Sequence, residues 1–228
     1  MNTLMSKQLS IIVPTFNEAT CIEATLRRLQ PLRDQGHEII VADGASTDTT
    51  VALAAPLCDR MVHAPQGRAR QMNEAARFAC GNHLLFLHAD TRLPDQAATR
   101  IAEALGSHPW GRFDVRLSGQ HRLLRVIEAM MNLRSRLSGI ATGDQAMFVR
   151  RELFETLGGF AEIALMEDIE LSKRLKRHGR PACLRDKVLT SSRRWEQRGI
   201  LKTVLLMWRL RLAYFLGARP EQLSRHYH

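Results

Sequence analysis

Leu84-Leu85-Phe86-Leu87-His88-Ala89-Asp90 decides the fold. An apolar run drives straight into a polar triplet that ends in a carboxylate. Such a run, bounded by turn signals, reads as a strand buried on both faces. In an open α/β sheet, ligands bind beyond the carboxyl ends of the strands. Asp90 falls at such an end. An acid there can hold a divalent cation, and the cation can hold a diphosphate. The competing reading makes Asp90 a cap for a helix that follows Pro94.

Outward from this stretch, the pattern repeats. Leu9 to Val13 is a β-branched apolar run, and Pro14-Thr15-Phe16-Asn17-Glu18 follows as a loop. Ala19 to Leu29 has helical spacing, and Pro31 and Gly36 are expected to end that unit. Glu38 to Ala42 is a second strand, Asp43 to Asp48 a tight polar turn, and Thr49 to Ala55 a second helix. Arg60 to His63 is a third strand, and Arg68 to Ala79 a helix. Strand and helix alternating at this pace mean βαβ units and a parallel sheet. Leu93 to Leu105 is expected as a helix. Beyond Gly106 the spacing changes. Arg112 to Leu117 alternates, as an exposed or mixed-sheet strand would. Arg122 to Leu137 is a long amphipathic helix, and Ala146 to Val149 and Lys187 to Thr190 are strands. The helix after Met166-Glu167-Asp168 is expected over Ile169 to His178.

The 228 residues suit one α/β domain with a substantial core. The expected division is a domain over 1–195, with a nucleotide-binding half at 9–105 and an acceptor half at 106–195, followed by a basic helical extension over 196–228. Four scattered cysteines form no C-x-x-C pair, so they read as core residues of a reducing compartment. Met1 to Gln8 lacks the apolar segment of a signal peptide. A cytoplasmic protein is expected, at most peripheral on the inner membrane face. The net charge of +10 is concentrated at the end: residues 185–228 hold 10 of 33 Lys and Arg but 3 of 23 Asp and Glu. That tail suits anionic lipid before nucleic acid, and no nucleic-acid partner is expected. A solvated basic helix is the plainer alternative. Ile200 to Leu216 is too charged for a confident membrane span.

The chemistry gathers on one rim. Glu18, Asp43 and Asp90 follow three strands, in loops rich in Gly, Ser, Thr and Asn. Neither a P-loop nor a G-x-G-x-x-G follows the first strand, so phosphates need another counter-charge. Asp90 with a divalent ion supplies one, and Arg68 and Arg70 could add contacts. Glu167-Asp168 lies apart, either as a complement to a helix dipole or as a general base.

Together these stretches resemble the family-2 glycosyltransferases of GT-A fold, over roughly residues 9–195. Ile12-Val13-Pro14-Thr15-Phe16-Asn17-Glu18 looks like the family's opening V-P-x-x-N-E. Asp43 to Asp48 looks like its D-G-S-x-D turn, and Gly67 to Asn73 loosely like its G-x-x-x-A-x-N element. His88-Ala89-Asp90 resembles D-x-D, Glu167-Asp168 the E-D pair, and Arg194-Trp195 the end of Q-x-x-R-W. The resemblance implies a Rossmann-like, mostly parallel sheet flanked by helices. It implies a nucleotide pocket of Pro14, Thr15, Asn17, Glu18, Asp43, Asp48, Arg68, Arg70, Asn73 and Ala89. It implies Mn2+ or Mg2+ on Asp90 with His88, Asp168 as base beside Glu167, and Arg194, Trp195 and Asp144 near the acceptor or diphosphate. The donor would be a nucleotide-diphosphate sugar, UDP by default, and the acceptor is unspecified. His88 replaces the first Asp of D-x-D, and Ser191 replaces the Gln of Q-x-x-R-W, which speaks against a processive synthase. Gly143-Asp144-Gln145 and Arg193-Arg194-Trp195 also resemble a compact bacterial subfamily linked to radical-SAM, selenium-related or arsenosugar gene neighbourhoods.

The sequence leaves three rival readings. A nucleotidyltransferase would open with a Gly-rich basic loop, which is not present after the first strand. A membrane-surface or nucleic-acid binding module leaves the acids without a joint role. A GT-A scaffold without catalysis is suggested by His88.

Overall fold

The computed structural model describes residues 8–224. The strands are β1 (Leu9–Thr15), β2 (Glu38–Asp43), β3 (Arg60–His63), β4 (His83–Phe86), β5 (Thr91–Arg92), β6 (Trp110–Leu117), β7 (Phe148–Arg150) and β8 (Ala182–Thr190). They form one sheet in the order β3-β2-β1-β4-β7-β6-β8-β5. The first four in that order are mutually parallel, so the ends of β1, β2 and β4 share one rim. β7 runs antiparallel to both β4 and β6, while β6 and β8 are parallel.

The helices are α1 (Ile22–Asp34), α2 (Thr50–Ala54), α3 (Arg68–Arg77), α4 (Ala97–Ser107), α5 (Arg122–Ser138), α6 (Arg151–Thr156), α7 (Glu167–Leu175), α8 (Arg193–Arg198), α9 (Ile200–Phe215) and α10 (Pro220–Ser224). Side chains alternate across the sheet, so each parallel strand feeds two cores. Ile11, Val13 and Ile39 pack with Leu26 and Leu29 of α1. Ile12, Ile40 and Phe86 pack with Met72 and Ala75 of α3. Burial on both faces is why these strands are unbroken apolar runs. Phe86, Phe154 and Phe160 close the second core, with ring centroids 4.8–5.5 Å apart.

Several boundaries differ from expectation. Pro31 lies inside α1, because Leu29 and Leu32 bury the face that spans it; the proline itself is exposed and its carbonyl still accepts the Gln35 N–H. Leu93 opens no helix. A residue before proline avoids the helical region, and Thr91–Arg92 instead pairs with β8. α4 begins at Ala97, whose N–H bonds the Pro94 carbonyl. β6 is the mixed-sheet strand of the two expected alternatives, antiparallel to β7 and parallel to β8, and it is not exposed: Trp110, Arg112 and Phe113 are fully buried. The Arg112 guanidinium meets Asp114 there, and Asp114 also takes Arg136 from α5. Of the four cysteines, all free, Cys58 is buried in the core and Cys21 packs partly buried against it, while the core reading fails for the exposed Cys80.

The C-terminal segment is docked. Leu210 of α9 and Leu223 of α10 bury against Ile140, Met166 and Ile169. Among the described residues, no helix is long and apolar enough to cross a membrane.

Candidate active site

The loops after β1 and β2 are laced together by their own polar residues. Asn17, at φ 54, donates its N–H to Ser46 Oγ and accepts the Thr47 N–H on Oδ1. Asp48 accepts N–H groups from Ala19 and Thr50. Asp43, buried at the end of β2, accepts the Ser46 N–H at 3.0 Å. Asn17 and Asp48 therefore shape the rim and do not line the cavity inside it.

That cavity, of about 430 Å³, opens along the rim. Pro14, Thr15 and Glu18 form one wall; His88, Ala89 and Asp90 form the floor after β4. Arg68 and Gln71 enter from α3, and Asp144, Glu167 and Trp195 approach from the far side. Gln71 has no assigned role in the sequence. It is buried, and its Nε2 donates to the carbonyls of Thr15 at 2.7 Å and Ala42 at 2.9 Å. It thus clamps the ends of β1 and β2 together, and its side chain packs against Gly44. A buried polar residue on an otherwise apolar helix face is the signal that could have found it.

The other expected residues divide. Arg70 pairs with Glu162 at 3.4 Å, away from the cavity wall. Asn73 exchanges two hydrogen bonds with the Phe160 backbone, both 2.8 Å, and so pins the turn after α6. The described structure does not include the Arg194 side chain. Arg193 reaches the first loop, 4.0 Å from Glu18. Cys21 hydrogen-bonds Glu18, and burial with that bond and charge pushes its thiol up to about 12.

His88 sits between two partners. Its Nδ1 is 3.4 Å from Asp144, and its Nε2 lies against Gly143, where an added Cβ would come within 2.5 Å. Burial raises the Asp144 carboxyl, but the His88 hydrogen bond and the charges of His88, Arg68 and Arg211 outweigh it and hold it at about 2. His88 Nδ1 is thus paired with Asp144, and His88 and Asp90 both face the cavity floor.

No three His, Cys, Asp or Glu side chains cluster as a closed metal cage among the described residues. A magnesium-type ion does not need one. It is held by one or two carboxylates together with substrate phosphates. The half-buried Asp90, on a rim without a P-loop, fits that mode.

The acid pair splits at the start of α7. Met166 takes a left-handed conformation at φ 71, and the helix begins at Glu167. Glu167 turns into the cavity wall with Arg68 Nη1 3.9 Å away. Burial first, and then the Asp168 charge, raise its carboxyl above the ordinary range. Asp168 turns to backbone: Oδ2 accepts the Gly143 N–H at 2.9 Å and Oδ1 the Ile169 N–H at 2.7 Å. Thr203 and Met207 of α9 complete the wall. No motif pointed to them, because a helical period shows that a face exists and not what it covers.

A four-stranded parallel edge, acids on its carboxyl rim and a separate acid pair at a helix start define an α/β fold of GT-A type. A family model described as Glycosyl transferase family 2 matches residues 10–158, and the chain belongs to that family. A PGL/p-HBAD biosynthesis glycosyltransferase of Mycobacterium bovis is 36% identical over 107 residues, covering 43% of this chain and 42% of its own. A beta-monoglucosyldiacylglycerol synthase of Synechocystis is 23% identical over 86% of this chain and 47% of its own. The chain therefore spans less than half the length of these curated relatives. Among solved structures, the mannosyltransferase PcManGT of Pyrobaculum calidifontis, in complex with GDP-Man and Mn2+, superposes with a TM-score of 0.65 at 24% identity, over 90% of this chain and 61% of its own. TarS of S. aureus gives 0.65 at 20% identity, over 81% and 60%. These likenesses carry the fold.

Proposed function

We propose that the chain is a metal-dependent, inverting glycosyltransferase that takes a sugar from a nucleotide-diphosphate donor, with UDP as the default nucleotide. The observation that carries this reading is one cavity walled by Pro14, Thr15 and Glu18 on one side and Glu167 on the other, with Asp90 on the floor between them. Nucleotide contacts come from the β1 and β2 loops that Asn17, Asp43 and Asp48 hold in shape. Asp90 would hold Mn2+ or Mg2+, which when bound would supply charge stabilisation to the departing nucleoside diphosphate. Arg68 adds a cationic contact, and Trp195 with Asp144 borders the acceptor side.

Inversion requires a carboxylate to take the acceptor proton as its oxygen attacks the anomeric carbon. The family likeness gives that role to Asp168. A second reading gives it to Glu167, because Glu167 lines the cavity while both Asp168 oxygens accept backbone N–H groups. Peripheral contact of the C-terminal helix with an anionic membrane, the two-part division at 195, and the likeness to the compact bacterial subfamily belong to the same proposal.

A thermal-shift screen of nucleotide sugars with and without Mn2+ tests it. Binding to the folded state alone raises the melting temperature by linkage. The expected result is a rise with at least one nucleotide sugar that requires Mn2+ or Mg2+ and disappears in Asp90→Ala. Unchanged melting across all donors would overturn the reading.

A further inference from the structure

Two helices leave large apolar residues in solvent at a repeating spacing. On α5 they are Leu123, Val126, Met130, Leu133 and Leu137, between 38% and 79% exposed. On α9 they are Leu201, Leu205, Trp208, Leu212 and Phe215, between 57% and 67% exposed. Steps of three and four residues place each set along one stripe. The opposite faces are spoken for: Leu124, Met131 and Ser135 of α5 and Thr203 and Leu210 of α9 are buried. These stripes are surplus to the fold.

Stripes of this spacing suit either a partner helix or a lipid surface, and charge separates the two. Next to the α9 stripe stand the exposed Lys202 and Arg209 on one flank, and Ile200–Phe215 holds no acid. At the start of the α5 stripe stands the exposed Arg122, while Arg134 is half-buried and Arg136 pairs with Asp114. The acid of α5, Glu128, lies on the buried face, where it accepts the Leu117 N–H. Pairing α9 with α9 of a second copy would bring basic flanks together with no acid on either helix. An anionic lipid surface reverses the sign of that term, and each cation near such a surface adds attraction. Trp208, half in solvent within its stripe, is the side chain type that favours the membrane–water boundary.

We infer that α5 and α9 form a two-helix docking face for anionic lipid. The inference rests on the membrane contact proposed for the C-terminal helix and adds a second helix. It does not depend on sugar transfer. The consequence for the site is direct. Thr203 and Met207 face the cavity from the same helix whose outer stripe meets lipid, so docking brings the cavity wall to the membrane surface.

Sedimentation of the full chain with vesicles tests this. One set is phosphatidylcholine alone; the other mixes it with phosphatidylglycerol in equal parts. Binding to the mixed vesicles is expected, and about tenfold less to phosphatidylcholine alone. The α9 variant Leu205→Ser/Trp208→Ser/Leu212→Ser and the α5 variant Val126→Ser/Met130→Ser/Leu133→Ser should each lose about tenfold in partition. Melting curves show whether each variant is folded. Lys202→Glu/Arg209→Glu, which leaves the stripe intact, should lose binding as well. Loss in the α9 variant with full retention in the α5 variant would keep the C-terminal contact and overturn the two-helix face. Equal binding to both vesicle types, or none, would overturn the lipid assignment. So would a wild-type dimer in light scattering that the stripe variants dissolve.

Discussion

A methyl group at Gly143 would sit 2.5 Å from Nε2 of His88. Gly143→Ala should therefore push the imidazole off Asp144 and cost about 1–3 kcal/mol by overpacking, measured by urea unfolding. The same contact makes a pH prediction. A carboxyl held below its ordinary 3.8 stabilises the fold above that value, and the contribution is lost as pH falls toward about 2. Asp144→Asn should flatten the stability curve across that acid window. Glu167 has the opposite sign. Its carboxyl is raised, so its share of stability is present below 4.5 and is lost as pH rises through the folded value. Glu167→Gln should remove that loss, seen as a melting temperature that no longer falls over this range. The acid pair also divides kinetically. If Glu167 accepts the proton, Glu167→Gln lowers turnover by about 10²–10⁴ while Asp168→Asn weakens it through the Gly143 contact. The reverse ranking would restore the role to Asp168.

At the scale of elements, Gln71 joins two strand ends that sequence alone leaves separate. Gln71→Leu leaves the Thr15 and Ala42 carbonyls buried without this donor, at about 1–3 kcal/mol, and should weaken nucleotide binding together with stability. The βαβ half was legible because its strands are buried on both faces and its acids fall at their ends. Asp90, Glu18 and Glu167 could be read as cavity residues from that arrangement. Asn17, Asp48 and Asn73 could not, since the polar side chains that shape a rim look like those that line it. No spacing reveals that Asp144 and Gly143 lie against the His88 ring. The Leu93 and Pro31 boundaries failed for local reasons: proline restricts the residue before it, and buried flanks carried a helix through a proline.

Across the whole molecule, the C-terminal segment is part of the site. Leu210 is the anchor that holds α9 over the cavity, and Leu210→Ala should cost about 2–5 kcal/mol of local docking energy. Hydrogen exchange should then speed up in α9 while β1, β2 and β4 keep their protection. The charge map gave the basic character of this segment, and only the packing shows that its inner face closes a cavity. The reading of that cavity as a transfer site stands on Asp90. The most direct test follows nucleoside diphosphate release from a nucleotide sugar, in Mn2+ and in EDTA, for wild type and Asp90→Ala. Release is expected to need the metal and to fall by about 10² or more in the variant. Full release by Asp90→Ala in EDTA would contradict that reading of the cavity.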